Sequence, residues 1–253
     1  MTRIRVEVEA PIGTIVLARP EKKNALDLQT TRELAIALER LATDDSVRVI
    51  LIRADGEDFC AGADLEALEA MLDKGPDAHL EDAEALANVF RLLRTTPKPV
   101  IAVVRGRALA GGAGLATACD VVVAGEGAQI GYPEVRVGFV PAMVMTMLRR
   151  CVGEKRAFEL VATGRSITAR DALEMGLVSR VTPDAELDAA ASKMAEQLAR
   201  TPSAALHATK RLFYALDGRE FGEGLALGVL TNVEARSTQD FRDGVRRFVR
   251  RDR

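Results

Sequence analysis

An α/β core followed by a mostly helical C-terminal part is the fold class that three features of this sequence predict. Apolar runs rich in β-branched residues at 47–54, 99–106 and 120–131 are typical of strands, and the first two are expected to be buried on both faces. Segments with helical spacing of apolar residues alternate with these runs. After Pro141 almost every segment has helical periodicity.

The remaining elements follow in chain order. Residues 3–19 alternate charged and apolar side chains, which predicts two strands with a turn at Gly13. Residues 71–82 contain glycine and proline, and this composition predicts a mobile surface link. Helices are predicted at 28–41, about 81–94, 142–151, 154–162, 169–175, 184–200 and 203–216, with a glycine-interrupted amphipathic helical tail at 219–253.

Composition excludes several classes of function. The 253 residues carry a net charge of -2 and only 4% aromatic side chains, so nucleic acid is not expected as a partner. The three cysteines have no CxxC spacing, so neither a disulfide framework nor a zinc site is predicted. The N-terminal segment lacks the apolar stretch of a signal peptide, and no run is long enough to span a membrane. A cytoplasmic location is therefore expected.

Two loops rich in glycine and alanine each follow a predicted strand and open a helix. They are FCAGAD at 59–64 and ALAGGAGLATACD at 108–120, and both can present bare backbone N–H groups. Taken singly, the first loop is equally explained by a tight turn with Asp64 as the helix N-cap, and the second by close helix packing. The second is not a dinucleotide fingerprint, because Thr117 stands where the third glycine is needed. Together the loops predict a pocket for one negative oxygen, in which each donor contributes about 3–4 kcal/mol.

Glu134 is the candidate acid/base. It lies in GYPEVRVGFVPA at 131–142, with apolar neighbours such as Val137 and Phe139. Desolvation by such neighbours would raise the pKa of a carboxyl toward neutral pH, which suits a general base. A glutamate on a surface loop is the alternative interpretation. His79 and His207 have no partnered serine or cysteine motif, so a catalytic triad is not predicted.

These segments, in this order, resemble the crotonase superfamily, which is the enoyl-CoA hydratase/isomerase family. The resemblance covers nearly the whole chain, through ARPEKKNALD (18–27), FCAGADL (59–65), PVIAVVRGRALAGGAGLATACD (99–120), YPEVRVGFVP (132–141), GEKRAFEL (153–160) and TGRSITARDALEMGLVSRV (163–181). It implies a crotonase (ClpP-like) ββα spiral core over 1–195 and a C-terminal helical trimerisation region over 196–253. It also implies an acyl-CoA substrate, no separate cofactor because coenzyme A is part of the substrate, no metal, and a homo-oligomer, either a trimer or a dimer of trimers.

The resemblance assigns roles to the residues at matching positions. The main-chain N–H groups of Ala63 and Gly111 would hold the thioester oxygen of the substrate, with Glu134 as acid/base. The other residues expected to contact substrate are Arg19, Lys22 and Lys23 at the CoA phosphates, Asp64, Leu65 and Glu66 along the adenine and pantetheine path, Ala61, Gly112, Gly114, Pro133 and Phe139 within the motifs, and Phe248 and Arg251 in the tail that closes over the nucleotide.

One position departs from the pattern of the family's hydratases. Those enzymes have a second glutamate three residues after the position matched by Gly111, and here that position is Gly114. Hydration adds oxygen to one carbon and a proton to its neighbour, so two carboxyls help, whereas a double-bond shift needs one base. The sequence therefore leaves open a hydratase, a Δ3,Δ2-enoyl-CoA isomerase, a decarboxylase that passes through the same enolate, and a non-catalytic relative that binds acyl-CoA or RNA.

Overall fold

Residues 2–251 are described by a computed structural model, apart from the side chain of Arg251, so the predicted role of Arg251 lies outside the described residues. The strands are β1 (Ile4–Glu9), β2 (Ile12–Leu17), β3 (Val49–Ala54), β4 (Val100–Val104), β5 (Arg107–Leu109), β6 (Val121–Gly125), β7 (Gln129–Gly131), β8 (Ser166–Thr168) and β9 (Arg180–Thr182). The helices are α1 (Leu28–Thr43), α2 (Leu65–Met71), α3 (Pro76–Thr95), α4 (Gly111–Ala118), α5 (Ala142–Val152), α6 (Glu154–Thr163), α7 (Ala169–Met175), α8 (Leu187–Ala199), α9 (Ser203–Ala215), α10 (Phe221–Ser237) and α11 (Gln239–Arg251). Over these residues, no helix is both long and apolar enough to cross a membrane.

A six-stranded sheet in the order β1-β2-β3-β4-β6-β9 forms the centre of the fold. The β1–β2 pair is antiparallel, and every other neighbouring pair is parallel. Along β3, Ile50 and Ile52 enter the main core, whereas Val49 and Leu51 pack with α8 on the opposite face. Burial on both faces explains the continuous apolar run, and it confirms the prediction made for residues 47–54.

A smaller sheet, β5-β7-β8, brings two of the candidate motifs together. β5 and β7 run parallel, with Leu109 opposite Gly131. Because α4 follows β5 directly and the Glu134 segment follows β7 directly, the chain leaves both strands on the same side. The short strands β7, β8 and β9 were not predicted as separate elements.

The predicted turn at Gly13 is wrong. The strands β1 and β2 pair from Ile4 opposite Leu17 to Glu9 opposite Ile12, so the turn lies at Ala10 and Pro11. Gly13 is inside β2, where a methyl group would lie 2.9 Å from Cδ2 of Leu41. Glycine is required there by close packing against α1 and not by a turn.

The mobile link predicted at 71–82 is also wrong over most of its length. Gly75 is the N-cap of α3 and Pro76 its first residue, so these two residues begin a helix of 20 residues. Proline at the first helical position loses no hydrogen bond, because that N–H has no intrahelical partner. The buried residues of α3 are Val89, Phe90 and Leu93, all in its second half. The polar first half therefore resembles a loop in composition.

The C-terminal part packs differently from the prediction of one amphipathic tail. In α10 the apolar side chains are spread around the helix, and Phe221, Leu225 and Leu230 are 85%, 59% and 63% exposed. Contiguous exposed apolar surface is typical of an association site. Assembly into trimers stays a prediction. The predicted boundary at 195 falls within α8, which packs on the sheet, and the division into two regions also stays a prediction.

Candidate active site

Backbone pairing places the two glycine- and alanine-rich loops side by side. The Cys60 N–H donates to the Arg107 carbonyl at 3.0 Å, and the Leu109 N–H donates to the Cys60 carbonyl at 2.9 Å. A methyl group at Gly62, where φ is +94°, would lie 2.8 Å from the Leu109 carbonyl oxygen and 3.5 Å from the nitrogen of Gly111. Glycine at 62 is therefore needed for the close approach of the loops as well as for its backbone conformation.

The Ala63 N–H points away from Leu26. On the opposite side of its chain, the Gly62 carbonyl accepts from the Leu26 N–H at 2.7 Å, and the Asp64 N–H donates to the Leu26 carbonyl at 2.8 Å. Because the C=O and N–H of one trans peptide point in opposite directions, the Ala63 N–H faces away from Leu26. It meets no acceptor within residues 2–251.

The Gly111 N–H lies bare at the start of α4. Ala110, the N-cap, has φ of 49° and donates its own N–H to the Gly131 carbonyl at 2.8 Å. The first helical bond back to the cap comes from Gly114, whose N–H donates to Ala110 at 2.9 Å. The Gly111 N–H has no acceptor in the described chain, and the helix dipole adds partial positive charge at this end. Two N–H groups without an acceptor thus lie on adjacent loops, and their convergence on one oxygen stays a prediction.

Glu134 comes three residues after Gly131, the residue of β7 that pairs with Leu109. Its Oε2 atom is buried and has no hydrogen-bond partner among the residues that the structure describes. Burial raises the pKa of the Glu134 carboxyl above its ordinary value. Two residues earlier, the Tyr132 hydroxyl shares a 2.8 Å hydrogen bond with Thr117 of α4, which fixes the segment against the helix. A buried, unpaired carboxylate oxygen is costly, and proton transfer to a substrate is a role that explains it.

The space around Gly114 is filled by apolar side chains. A methyl group there would lie 2.7 Å from Cγ2 of Val144 and 2.9 Å from Cζ of Phe90. At Gly111 the corresponding neighbours are Leu26 at 3.5 Å and Leu86 at 3.7 Å. An apolar wall therefore stands where the family's hydratases have their second glutamate. Leu86 and Phe90 were not among the predicted site residues, although their spacing of four residues places them on one face of α3.

Asp82 was also missed, because its segment was interpreted as a link. It lies one helical turn before Leu86 and is half-buried. Burial raises the pKa of its carboxyl, and the charge of His79 opposes this effect. Glu134 and Asp82 are the two carboxyls of the described chain whose pKa is raised.

The Arg19 side chain connects the segment at 18–27 to the FCAGAD loop at 59–64. Its guanidinium donates to the Asp64 carboxylate at 2.9 Å, to the Ala25 carbonyl at 2.9 Å and to the Asp27 carboxylate at 3.3 Å. Asp64 is the N-cap of α2, as predicted, and accepts from the N–H groups of Glu66 and Ala67. Arg19 is thus already paired with two carboxylates, and its contact with CoA phosphates stays a prediction.

Most of the remaining predicted contacts lie at the surface, whereas Gly112 is buried against Cys60. Lys22, in the segment at 18–27, forms an ion pair with Glu66, which follows the FCAGAD loop. The Leu65 side chain is 75% exposed. Phe248 lines a groove of about 980 Å³ between α9, α10 and α11 that shares no lining residue with the three motifs. Within one chain the structure therefore does not bring Phe248 to Glu134. Its closure over a nucleotide bound by a neighbouring subunit stays a prediction, as do the substrate contacts of Lys23, Ala61, Gly112, Pro133 and Phe139.

Comparison with known proteins places the chain in a family. The enoyl-CoA hydratase/isomerase family pattern matches residues 7–253. A Thermus thermophilus protein provisionally named an enoyl-CoA hydratase is 40% identical over 244 residues, 96% of each chain. The solved structure of human enoyl-CoA hydratase domain-containing protein 3 has a TM-score of 0.94 at 31% identity, covering 98% of each chain. That of an enoyl-CoA hydratase of Mycobacterium smegmatis also has a TM-score of 0.94 at 31% identity, covering 98% of this chain and 96% of that chain. The chain therefore belongs to the enoyl-CoA hydratase/isomerase family and has the fold of the crotonase superfamily.

Proposed function

We propose that this protein shifts a double bond in an enoyl-CoA thioester through an enolate, with Glu134 as the single acid/base. The observation that carries the proposal is the buried, unpartnered Oε2 of Glu134, three residues after the end of the strand that pairs with β5. A carboxyl with a raised pKa can accept a proton from carbon and return it at a neighbouring position.

The free N–H groups of Ala63 and Gly111 supply the other half of the mechanism. The thioester oxygen accepts hydrogen bonds from both, and each bond strengthens as negative charge develops on that oxygen. Glu134 removes a proton from C2 of a 3-enoyl thioester, and the electron pair moves into the enolate. The protonated Glu134 then delivers the proton to C4, which leaves the double bond between C2 and C3 and regenerates the carboxylate.

The apolar wall of Phe90 and Val144 favours this reaction over hydration. Hydration requires a water molecule held and deprotonated next to C3, and the place of the family's second glutamate is filled by these two side chains. An apolar surface offers no hydrogen bond to such a water. The wall therefore supports isomerisation with one carboxyl.

Hydration is the second candidate because of Asp82. Its half-buried carboxyl lies one turn from Leu86, which borders Gly111, so α3 can supply a second acid/base from a new position. The hydratase names of the similar proteins also favour this alternative.

Assays with two thioesters distinguish isomerisation from hydration. With 3-enoyl-CoA we expect a rise in the absorbance of the conjugated thioester, and with 2-enoyl-CoA we expect that absorbance to persist. The Asp82→Asn variant should retain isomerase turnover, whereas a hydratase that uses Asp82 would lose roughly 100-fold in kcat. Loss of the 2-enoyl absorbance in the wild type would favour hydration. Failure to turn over either thioester would contradict the proposed function.

A further inference from the structure

A second cavity, of about 340 Å³, lies between α3 and α5 and begins at the apolar wall of the proposed site. Phe90, which contacts Gly114 on one side, also lines this cavity. At the same end, the lining residues Ala87 and Met143 adjoin Leu86 and Val144, the neighbours of Gly111 and Gly114. Phe90 is thus the residue that the cavity shares with the surroundings of Gly114, at the start of α4, where the thioester is held in the proposed function.

The far end of the cavity is cationic. Arg91, Arg94 and Arg150 line it, with Asp217 as the lone carboxylate of the lining. Asp217 lies 3.5 Å from Arg94 and 3.4 Å from Arg150, which is longer than a good charge-assisted hydrogen bond. The Nε of Arg94 is buried and has no partner among the described residues. Three guanidinium groups facing one carboxylate leave donors available for a second anion.

We propose that this cavity binds the far end of an acyl chain that terminates in a carboxylate, so that the substrates are carboxylate-ended enoyl-CoA thioesters. The inference rests on the proposed function, because it assumes a thioester at Ala63 and Gly111. From Leu86 to Arg94 the helix rises about 12 Å, which suits a chain of medium length. The Arg94 guanidinium lies over the Tyr214 ring, 4.5 Å from its centroid.

The chemistry of the cavity favours a carboxylate over a methyl end. The aliphatic part of the chain would contact Ala87, Phe90, Met143 and Met147, and the carboxylate would meet planar guanidinium groups that match its two oxygens. A methyl-ended chain would place an apolar end beside the charged groups of Arg91 and Arg150.

The test compares two medium-chain enoyl-CoA thioesters of equal length, one ending in a carboxylate and one in a methyl group. We expect the wild type to have at least about tenfold higher kcat/KM for the carboxylate-ended thioester, as for hydrogen bonds to a charged group. Arg150→Gln should remove most of that preference through KM. Arg149→Gln is the matched control, because Arg149 is the next residue of α5, pairs with Glu154 at 2.6 Å and does not line the cavity.

The outcomes separate this inference from the proposed function. Equal kcat/KM values for the two thioesters would overturn the inference and leave the proposed function standing. No turnover of either thioester would overturn both. An equal loss of preference in Arg149→Gln would show a general charge effect and contradict a site at Arg150. A changed oligomeric mass in Arg150→Gln with the preference intact would assign the arginines to a subunit contact.

Discussion

Replacing Glu134 with glutamine is expected to lower kcat at least about 100-fold, because glutamine has the same shape but cannot accept a proton from carbon. KM should change little, since the proposed binding contacts come from main-chain N–H groups. Steady-state kinetics on the preferred thioester, with direct measurement of acyl-CoA binding, would check both expectations. Unchanged turnover would remove Glu134 from the mechanism.

The raised pKa of Glu134 also sets the pH dependence of the reaction. Proton abstraction needs the ionised carboxyl, so kcat/KM of the wild type should fall as the pH drops through a pKa higher than that of an exposed glutamate. Because the folded state favours the protonated carboxyl, ionisation of Glu134 lowers the free energy of unfolding at pH values above its folded-state pKa. Below the unfolded-state pKa of about 4.3 the carboxyl is protonated in both states, so this loss of stability is absent. Glu134→Gln should accordingly melt higher than the wild type at neutral pH, and the difference should vanish at low pH.

Lys210→Met is expected to cause the largest loss of stability. The ammonium group of this buried lysine donates to the Leu93 carbonyl at 2.8 Å, the Lys98 carbonyl at 3.0 Å and the Asp120 carboxylate at 2.7 Å. It thereby holds α9 against the end of α3 and against the residues that precede β4 and β6 of the central sheet. Removing one partner of a buried ion pair costs about 3–5 kcal/mol, because the other charge is left uncompensated.

A thermal melt would measure this effect. The Tm of Lys210→Met should be lower by roughly 10 °C for a domain of this size. Lys193→Met is the control, because Lys193 is exposed on α8 and its loss should leave the Tm almost unchanged. Equal Tm values for Lys210→Met and Lys193→Met would contradict the role of Lys210 in holding α9 in place. The Tyr214 hydroxyl donates to the other Asp120 oxygen at 2.8 Å, so Tyr214→Phe should give a smaller loss in the same direction.

The fold was predictable where the pattern of apolar residues is local. The run containing Val49 and Leu51 predicts a doubly buried strand, and the structure has one. The first half of α3 was missed because it buries almost nothing, so its sequence has no apolar stripe. Gly13 was misassigned because its requirement comes from Leu41, a residue far away in the sequence.

Prediction of the candidate site was limited in the same way, by contacts between residues that are far apart in the sequence. Bare N–H groups in the two loops could be anticipated from loop composition, and positions 63 and 111 from the family resemblance. The pairing of Cys60 with Ala108 that joins the loops is a non-local contact. The ion pairs of Arg19 with Asp27 and Asp64 were not predicted. The sequence does not show the partners of a basic residue, so Arg19 was interpreted as a ligand of the predicted phosphate site. Phe90 lies in the helix predicted at about 81–94, but its contact with Gly114 is non-local.

The thioester carbonyl of a bound acyl-CoA reports most directly on the two main-chain donors. In the Glu134→Gln protein, which should bind without turnover, an isotope-edited infrared difference spectrum would record the stretching frequency of this carbonyl. We predict a frequency clearly below that of the same thioester in water, because the Ala63 and Gly111 N–H groups polarise the bond. A frequency equal to or above the value in water would contradict convergence of those two groups on the substrate.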